Sequence, residues 1–446
     1  MTASIRASNR KNKIIKTLSV GAYSKVIGVV VTFTMVPLAV NYLGKDGYGL
    51  WMAVSSLIAM LSFVDGGAGN ALVNMVSHAT GVKSTKSLQT IVSTGFFVLL
   101  AIAMFGGSLF YMLTPFVSWL WVFGLSDGIS AQMVQTLVLI VGLAFFIGMP
   151  CSVVGKVQLG FQEGNIEAFW SAKGRILSLF FVFLAIKLNA GLPGFALGFV
   201  AGPIIALLLN NFYYFVIKKK ALLPKLSDVR GDEVKLVLST GGLFFVLQIT
   251  AAIQSQSDNI IIAKMIGVGA VAEYSICMQM FLVIPMVMGL LWAPLWPAYR
   301  EALASGDIAW IKQVFYRSIK LACVGGIPAS AVLVFFGQDI ILVWVGDAVL
   351  PSPLLLVGCG MWVFMLVVGS AMAMLLNGLQ VIKIQIMVAV SASILNVCLS
   401  IWLIAEIGLE GAVYGSVISY LVCAIIPYYF IIPKLLEKQT DHGEGQ

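Results

Sequence analysis

Stretches of about twenty consecutive apolar residues recur along the whole chain, and they restrict the fold more than any other feature. A helix needs roughly 20 apolar residues to cross a bilayer, whereas strands of a membrane barrel alternate apolar and polar residues over about ten positions. The sequence therefore predicts an all-α integral membrane protein with twelve transmembrane helices. The twelve stretches are 18–42, 48–76, 89–114, 132–156, 167–187, 193–217, 236–264, 270–295, 317–337, 350–376, 384–405 and 410–433.

The composition agrees with a chain that is surrounded by lipid. Of its 446 residues, 60% are hydrophobic and only 10% are charged, against about 25% charged residues in soluble domains. The net charge of +8 does not indicate a nucleic-acid partner, because the basic residues are dispersed between the apolar stretches. We expect them to lie in cytoplasmic loops and the chain to contact membrane lipid.

The basic residues also predict the orientation. With the N-terminus placed in the cytoplasm, only Lys45, Lys187 and Lys264 of the 27 lysines and arginines fall on the outer side. An excess of basic residues on the cytoplasmic side is the general rule for helical membrane proteins, and a wrong helix count would destroy it. We therefore expect both the N- and the C-terminus to be cytoplasmic.

Three pairs of short motifs, separated by about 220 residues, indicate an internal repeat. They are Leu43-Gly44 and Ile266-Gly267, Gly160-Phe161-Gln162 and Gly378-Leu379-Gln380, and Leu192-Pro193-Gly194 and Leu409-Glu410-Gly411. Six helices per copy give a parallel repeat, with both copies in the same orientation. Two such bundles around a shared cleft are typical of an alternating-access carrier.

The repeat predicts four segments. The N-terminal six-helix bundle covers 1–217 and a charged cytoplasmic linker covers 218–235. The C-terminal six-helix bundle covers 236–433, and 434–446 form a cytoplasmic tail.

Polar residues inside the apolar stretches are candidate site residues, because charge within a membrane is costly. Thr250, Gln254 and Asp258 are spaced four apart and form one polar face of the seventh helix. This face predicts a site for a proton or a sugar hydroxyl, and the alternative is an aspartate that only packs helices together. Asp65, followed by Gly66 and Gly67, predicts a gate or hinge, with an interfacial helix end as the alternative.

Four basic residues of the first half are candidates for anion binding. Lys25 lies within the first stretch, Lys156 ends the fourth, and Lys173 and Arg175 lie in the fifth if that helix has the length a span needs. Together they predict a basic chamber for a pyrophosphate, whose oxygens Lys and Arg bind well. The alternative is that they are ordinary cytoplasmic-side residues, with Lys25 reaching the interface along its alkyl chain.

Motifs of enzymes and metal proteins are missing from the sequence. No G-x-x-x-x-G-K-[ST] loop for nucleotide phosphates occurs, and His78 and His442 are the only histidines. The six cysteines form no C-x-x-C pair. We therefore expect a carrier rather than an enzyme, with no catalytic residue, no metal site and no cofactor.

Several motifs resemble those of a known family. Residues 37–44 (PLAVNYLG), Tyr48-Gly49 and Asp65-Gly66-Gly67 resemble the N-terminal signature of bacterial polysaccharide-unit flippases, which include the O-antigen flippases. Asp258, Ile266-Gly267 and Trp344-Val345-Gly346 are similar to the second half of that family. The family belongs to the superfamily of the multidrug and toxic-compound extrusion (MATE) proteins. The sequence departs from the pattern of the polysaccharide-unit flippases at Asn41, where a basic residue is common in that family.

The resemblance implies a MATE-like fold in the bacterial inner membrane. It implies a lipid-linked oligosaccharide substrate, in which the oligosaccharide is attached to polyprenyl pyrophosphate. The substrate would move from the cytoplasmic to the periplasmic leaflet, and this movement would be coupled to an ion gradient. Asp65 and Asp258 match acidic positions of the family pattern, and a polysaccharide polymerase and a chain-length regulator are implied partners. The alternatives are a multidrug exporter of the same fold and, from another class, a membrane polysaccharide polymerase.

Overall fold

The computed structural model describes residues 2–81, 85–125, 129–292 and 295–443, and these ranges are almost entirely helical. A π-helical segment, Phe212–Lys218, follows the helix that ends at Asn211, and a second, Leu421–Ile425, joins the helix that ends at Tyr420 to the one that begins at Ile426. The α-helices of the described ranges are α1 Thr2–Met60, α2 Ala68–Gly81, α3 Thr85–Leu113, α4 Trp119–Val122, α5 Ala131–Cys151, α6 Val153–Gly160, α7 Gly164–Lys187, α8 Gly191–Asn211, α9 Gly231–Met265, α10 Val268–Phe281, α11 Val283–Trp292, α12 Leu295–Ala304, α13 Ile308–Val345, α14 Pro353–Gly378, α15 Ile382–Ile407, α16 Glu410–Tyr420 and α17 Ile426–Gly443.

Ten helical segments of the described residues are long and apolar enough to cross a membrane. They confirm the prediction of a multi-pass membrane protein built from helices. The segments are Val20–Asp65, Ser87–Phe116, Ala131–Gly160, Gly164–Lys187, Gly191–Lys218, Val268–Trp292, Ile308–Val345, Pro353–Gly378, Lys383–Ile407 and Glu410–Glu437.

The difference between these ten segments and the twelve predicted spans arises in two places. Val20–Asp65 contains the first predicted span and most of the second, because the helix resumes at once after a single non-helical residue, Gly44. The seventh predicted span, 236–264, lies in α9, which is not among the ten and carries the polar run 254–259.

The second predicted span is interrupted before it ends. A 3₁₀ turn, Leu61–Asp65, follows α1, and Gly66 and Gly67 then adopt left-handed φ values of 60° and 75° before α2 begins. Residues other than glycine rarely adopt such φ values. The Gly-Gly pair therefore ends the helix at Asp65, where the sequence predicted one continuous segment.

The paired motifs adopt matching backbone conformations. Gly44 and Gly267 both have positive φ, 72° and 126°, and each separates two helical segments. In the second pair, Gln162 (58°) and Gln380 (61°) also have positive φ. In the third pair, the same is true of Gly191 (65°) and Gly408 (76°), the residues that directly precede the two motifs. Positive φ is uncommon outside glycine, so the agreement at Gln162 and Gln380 is a specific likeness between the two parts of the chain.

The chain forms two compact units, each with its own buried apolar core. Unit 1 comprises Met1–Leu43 and Val54–Ile249, and unit 2 comprises Gly44–Ala53 and Thr250–Gln446. In unit 1 a cluster of buried residues includes Leu72, Val92 and Val154. In unit 2 a second cluster includes Tyr299, Ile311 and Leu375.

Glycines bring α7 and α8 into close contact in unit 1. A Cβ placed on Gly198 would meet the backbone of Phe181, and one on Gly202 would meet the backbone of Ser178. Small residues four apart allow two membrane helices to approach until their backbones touch. This close contact fixes the orientation of α7 relative to α8, and therefore the direction of the charged residues of α7 described below.

Candidate functional site

A cavity of about 310 Å³ in unit 1, here called cavity A, has charged side chains from two helices in its lining. It lies between α6, α7 and α8. Two cations and one anion, Lys156, Arg175 and Glu167, line it. Its other polar lining includes Ser152, Ser171 and Asn210, and Trp170 contributes an aromatic wall.

Lys156 reaches cavity A because the predicted fourth span breaks near its end. α5 ends at Cys151 just after Pro150, Ser152 forms the turn, and α6 continues to Gly160. The buried amides of Gln158 and Asn210 then join α6 to α8 by a pair of hydrogen bonds, 2.7 and 3.3 Å. This reciprocal amide pair orients α6 and fixes the position of Lys156 beside α8.

Arg175 is positioned by the first helix of the chain. Its Nη1 donates a hydrogen bond of 3.0 Å to the carbonyl oxygen of Ser24. The guanidinium also lies directly against Gly28, where a Cβ would collide with it. Because the arginine fork has five donors, Arg175 keeps most of them available for a ligand in cavity A.

Glu167 is loosely held between the two cations. The charges of Arg175 and Lys156 both attract its carboxylate. Among the described residues, however, no ion pair of 4.0 Å or less joins Glu167 to either of them. A phosphate can therefore bind the two cations of cavity A without first breaking a close ion pair.

A second cavity of about 530 Å³, cavity B, also lies in unit 1. It shares Ser152 and Lys156 with cavity A, so the ammonium group of Lys156 belongs to both linings. Its other polar residues are Ser62, Asp65 and Gln248, and its apolar lining includes Phe145, Met149 and Phe199. The two cavities therefore adjoin each other at Ser152, Lys156, Pro203 and Leu207.

Asp65 stabilises the turn that precedes α2. Its Oδ1 accepts a hydrogen bond of 2.8 Å from the backbone N–H of Gly67, and its Oδ2 accepts one of 3.3 Å from that of Gly69. A Cβ placed on Gly69 would lie 3.0 Å from Asp65 Oδ2 and 3.6 Å from Lys156 Nζ. Asp65 and Lys156 therefore face each other across Gly69.

A small ion cluster surrounds Glu163, which lies between the membrane-spanning segments Ala131–Gly160 and Gly164–Lys187. Glu163 accepts a hydrogen bond of 2.7 Å from Tyr214 and forms ion pairs of 3.1 Å with Lys218 and 3.8 Å with Lys219. Burial alone would raise the pKa of Glu163, but the hydrogen bonds and the two lysine charges outweigh it. The pKa of Glu163 therefore lies below its ordinary value.

Asp258, in unit 2, has a fully hydrogen-bonded environment. It is buried, and its carboxylate accepts three side-chain hydrogen bonds, from Tyr274 (2.8 Å), Ser416 (2.9 Å) and Ser400 (3.1 Å). Asn396 extends the network by donating to Ser416, 2.8 Å away. The hydroxyls come from α10, α15 and α16, so Asp258 connects α9 to three other helices.

The structure brings together only part of the predicted basic chamber. Lys156 and Arg175 share cavity A, whereas Lys173 is exposed on another face of α7 and its ammonium group lies over the rings of Phe169 and Trp170, 4.4 and 4.7 Å from their centroids. Lys25 is half-buried on α1, next to Ser24, and is not part of the cavity A lining.

The predicted acidic and polar positions divide between the two units. Asp65 lines cavity B in unit 1. Gln254 and Asp258 belong to unit 2, where Gln254 is half-buried four residues before Asp258.

Two residues of the site were not predicted as such. Glu167 was considered only as the start of the fifth helix, although it lies on the same helical face as Ser171 and Gly174, four and seven residues further on. Gln248 lies six residues before Gln254, and nothing in the sequence distinguishes it from its polar neighbours. Only the tertiary structure places Gln248 in cavity B.

Solved structures of transporters have the same fold. A multidrug resistance MATE family transporter in an inward-facing conformation matches with a TM-score of 0.74 at 15% identity, over 92% of this chain and 99% of the other. The lipid II flippase MurJ, in an inward closed conformation, matches with a TM-score of 0.70 at 15% identity, over 95% of this chain and 90% of the other. At this level of identity the likeness shows the fold alone.

Sequence comparison gives the family. A protein of Salmonella typhi named "Putative O-antigen transporter" is 23% identical over 427 residues, which is 92% of this chain and 94% of that protein. The family described as polysaccharide biosynthesis protein matches residues 13–299. Because that match covers more than half of the sequence, the chain belongs to the polysaccharide biosynthesis protein family.

Proposed function

We propose that this protein is a flippase for polyprenyl-pyrophosphate-linked oligosaccharide units of a surface polysaccharide. The observation that carries the proposal is cavity A, between α6, α7 and α8, whose lining includes both Lys156 and Arg175. The family membership and the name of the Salmonella typhi relative, an O-antigen transporter, support this class of cargo.

The chemistry of cavity A suits a pyrophosphate. A guanidinium binds phosphate oxygens through two parallel N–H donors, and an ammonium adds a compact point charge. Glu167 is the counterion of both groups in the absence of substrate, because it lines the same cavity and both positive charges act on its carboxylate. A pyrophosphate displaces Glu167 from the cations, and the return of Glu167 favours release.

The architecture that we propose is twelve spans in two six-helix bundles related by a parallel repeat, 1–217 and 236–433, with a linker at 218–235 and a tail at 434–446. The matching positive φ values of the paired motifs support the repeat. We further propose that the chain lies in a bacterial inner membrane with both termini cytoplasmic, and that alternating access moves the substrate from the cytoplasmic to the periplasmic leaflet.

The other predicted site residues have proposed roles that follow from their positions. Lys25 and Lys173 attract the anionic headgroup to unit 1 before it enters cavity A. Asp65 contributes to gating and Asp258 to ion coupling, and Gln254 binds a sugar hydroxyl. A polysaccharide polymerase and a chain-length regulator are the proposed protein partners, because they use the translocated unit.

The test measures binding of polyprenyl pyrophosphate to the purified full-length protein in lipid nanodiscs. Lys156→Gln combined with Arg175→Gln removes both cations of cavity A. We expect the affinity to fall at least thirtyfold, because each charge-assisted hydrogen bond to phosphate contributes about 1.5–3 kcal/mol. Surface polysaccharide should also be lost in cells that depend on this protein.

Lys187→Gln is the matched control, because Lys187 lies on the same helix as Arg175 but outside the cavity and has no proposed part in binding. It should bind the lipid within about twofold of the parent chain. A double variant that binds polyprenyl pyrophosphate as the parent does, at equal amounts of folded protein, would exclude cavity A as the pyrophosphate site.

A multidrug exporter is the second candidate function. The MATE fold and the carboxylate of Glu167 in cavity A favour it, because an acid in a membrane cavity attracts organic cations. The binding assay distinguishes the two functions, since an exporter should bind a cationic dye and ignore polyprenyl pyrophosphate.

A further inference from the structure

Cavity B contains a buried hydrogen-bond acceptor without a partner. The Oε1 atom of Gln248 is buried and accepts no hydrogen bond from any described residue. Buried polar atoms in proteins are almost always hydrogen-bonded, and an exception needs an explanation. Because Gln248 lines cavity B, a rotation of its side-chain amide would bring this oxygen to a ligand hydroxyl there.

Asp65 has unused acceptor capacity in the same cavity. An ionised carboxylate can accept about four hydrogen bonds, and Asp65 accepts two, from the backbone N–H groups of Gly67 and Gly69. Ser62 and Ser152 add two hydroxyl groups to the lining. Acceptors therefore converge on cavity B from three elements: the 3₁₀ turn, the α5–α6 turn and α9.

The apolar lining of cavity B complements these acceptors. Phe145 and Phe199 lie on α5 and α8 and line the cavity together with Met149. Sites for small organic ligands are mostly apolar, with a few polar groups that fix the orientation, and have volumes of about 300–1,000 Å³. Cavity B, at about 530 Å³, falls within that range.

The position of cavity B relative to cavity A specifies the ligand. Lys156 lies in both linings, so a molecule that places a phosphate against Lys156 and Arg175 can extend past Lys156 into cavity B. The part of a lipid-linked oligosaccharide that is attached directly to the phosphate is its first sugar. A sugar ring offers several hydroxyl donors on its edge and an apolar C–H face.

We infer that cavity B is the subsite for the first sugar of the lipid-linked unit, whose hydroxyls donate to Gln248 Oε1 and Asp65 while its ring packs on Phe145 and Phe199. This inference rests on the proposed function. It adds to that function a means of discrimination, because cavity A recognises the pyrophosphate of any lipid-linked unit and cavity B recognises what the pyrophosphate carries.

The experiment compares two probes, polyprenyl pyrophosphate and polyprenyl pyrophosphate that carries a single hexose, each bound to the full-length protein in nanodiscs. The parent chain should bind the hexose-bearing lipid about tenfold more tightly. Gln248→Leu should remove that preference and leave the affinity for the sugar-free lipid unchanged, because losing one acceptor for a sugar hydroxyl has an effect of about this size.

The matched control is Gln256→Leu, which makes the same change about two turns further along α9, in unit 2. It should keep the preference for the hexose-bearing lipid. Gln248→Leu should also melt at or above the temperature of the parent chain, because it replaces an acceptor that makes no hydrogen bond within the described structure.

Three outcomes would overturn the inference. Equal binding of both lipids by the parent chain, or a preference that survives Gln248→Leu, would exclude cavity B as the sugar subsite while the flippase proposal stands. Binding of neither lipid by the parent chain would overturn the proposed function and the subsite together.

Discussion

The charged groups of unit 1 and the buried carboxylate of unit 2 have opposite surroundings. Asp258 in unit 2 is buried and accepts hydrogen bonds from Tyr274, Ser400 and Ser416. Glu167 in unit 1 faces two cations across a cavity, and within the described structure it has no ion pair of 4.0 Å or less. A carboxylate whose acceptors are occupied holds helices together, whereas one with loose partners can exchange them for a ligand.

The comparison also bears on the two interpretations of Asp258. The sequence left open whether this residue couples transport to an ion or only packs helices. Its three hydrogen bonds, from α10, α15 and α16, favour packing. The coupling role stays a prediction, and the first experiment below separates the two.

Asp258→Ala should have the largest effect on stability. It leaves three buried hydroxyls without their shared acceptor, and we expect the free energy of unfolding to fall by about 2–4 kcal/mol. Glu167→Ala, at the loosely paired site, should change it by about 0.5 kcal/mol or less. Thermal melting of both purified variants in detergent measures the difference.

Asp258→Asn sharpens the same comparison, because it keeps one carbonyl acceptor and should lose less stability than Asp258→Ala. If it melts close to the parent chain but loses pH-driven transport in vesicles, coupling rather than packing is the role of Asp258. Similar melting temperatures for Asp258→Ala and Glu167→Ala would remove the contrast between the units.

Glu167→Gln should strengthen ligand binding in unit 1. The substitution removes the carboxylate that competes with a pyrophosphate for Lys156 and Arg175. We expect polyprenyl pyrophosphate to bind about fivefold more tightly, which corresponds to about 1 kcal/mol. Glu163→Gln is the control, since Glu163 lies outside both cavities and should leave the affinity unchanged. Weaker binding by Glu167→Gln would show that the carboxylate positions the cations instead.

Glu163→Gln should have a small effect on stability, and one that depends on pH. The pKa of Glu163 is below its ordinary value in the folded protein, mainly through Tyr214, Lys218 and Lys219 acting against burial. The ionised carboxylate therefore stabilises the fold above its unfolded pKa, and this contribution is lost as the pH falls through the lowered folded pKa.

We expect Glu163→Gln to lower the free energy of unfolding by about 0.5–1 kcal/mol at pH 7. The difference from the parent chain should shrink as the pH approaches 4, and melting curves at several pH values measure it. A difference that does not change with pH would mean that the ion cluster contributes nothing through its charge.

Much of the fold could be predicted from the sequence, because apolar length alone identifies a membrane helix. The exceptions are at glycines. Gly66 and Gly67 end a helix that hydropathy extends to residue 76, because local conformation and not apolarity decides a helix end. The glycine at 44, by contrast, interrupts a helix that resumes at once, so Val20–Asp65 covers two predicted spans.

The candidate site could be predicted only in part. Lys156 and Arg175 were predicted because basic residues inside apolar stretches are conspicuous, and cavity A contains both. Lys173 is two residues from Arg175, which on a helix points it in a different direction, and it is not part of the cavity lining. Gln248 could not be identified, because a polar residue becomes a site residue only through the cavity that tertiary packing forms around it.

The assignment of residues 44–53 to unit 2 has a consequence for how the gene can be divided. These ten residues lie between two segments of unit 1, and within unit 2 Gly49 touches the backbone of Val268 while Tyr48 accepts a hydrogen bond of 2.9 Å from Gln279. A fragment that begins at residue 250 lacks this piece of its own core. A cut in the predicted linker, 218–235, would also separate residues 236–249 from unit 1, so a division there leaves both units incomplete.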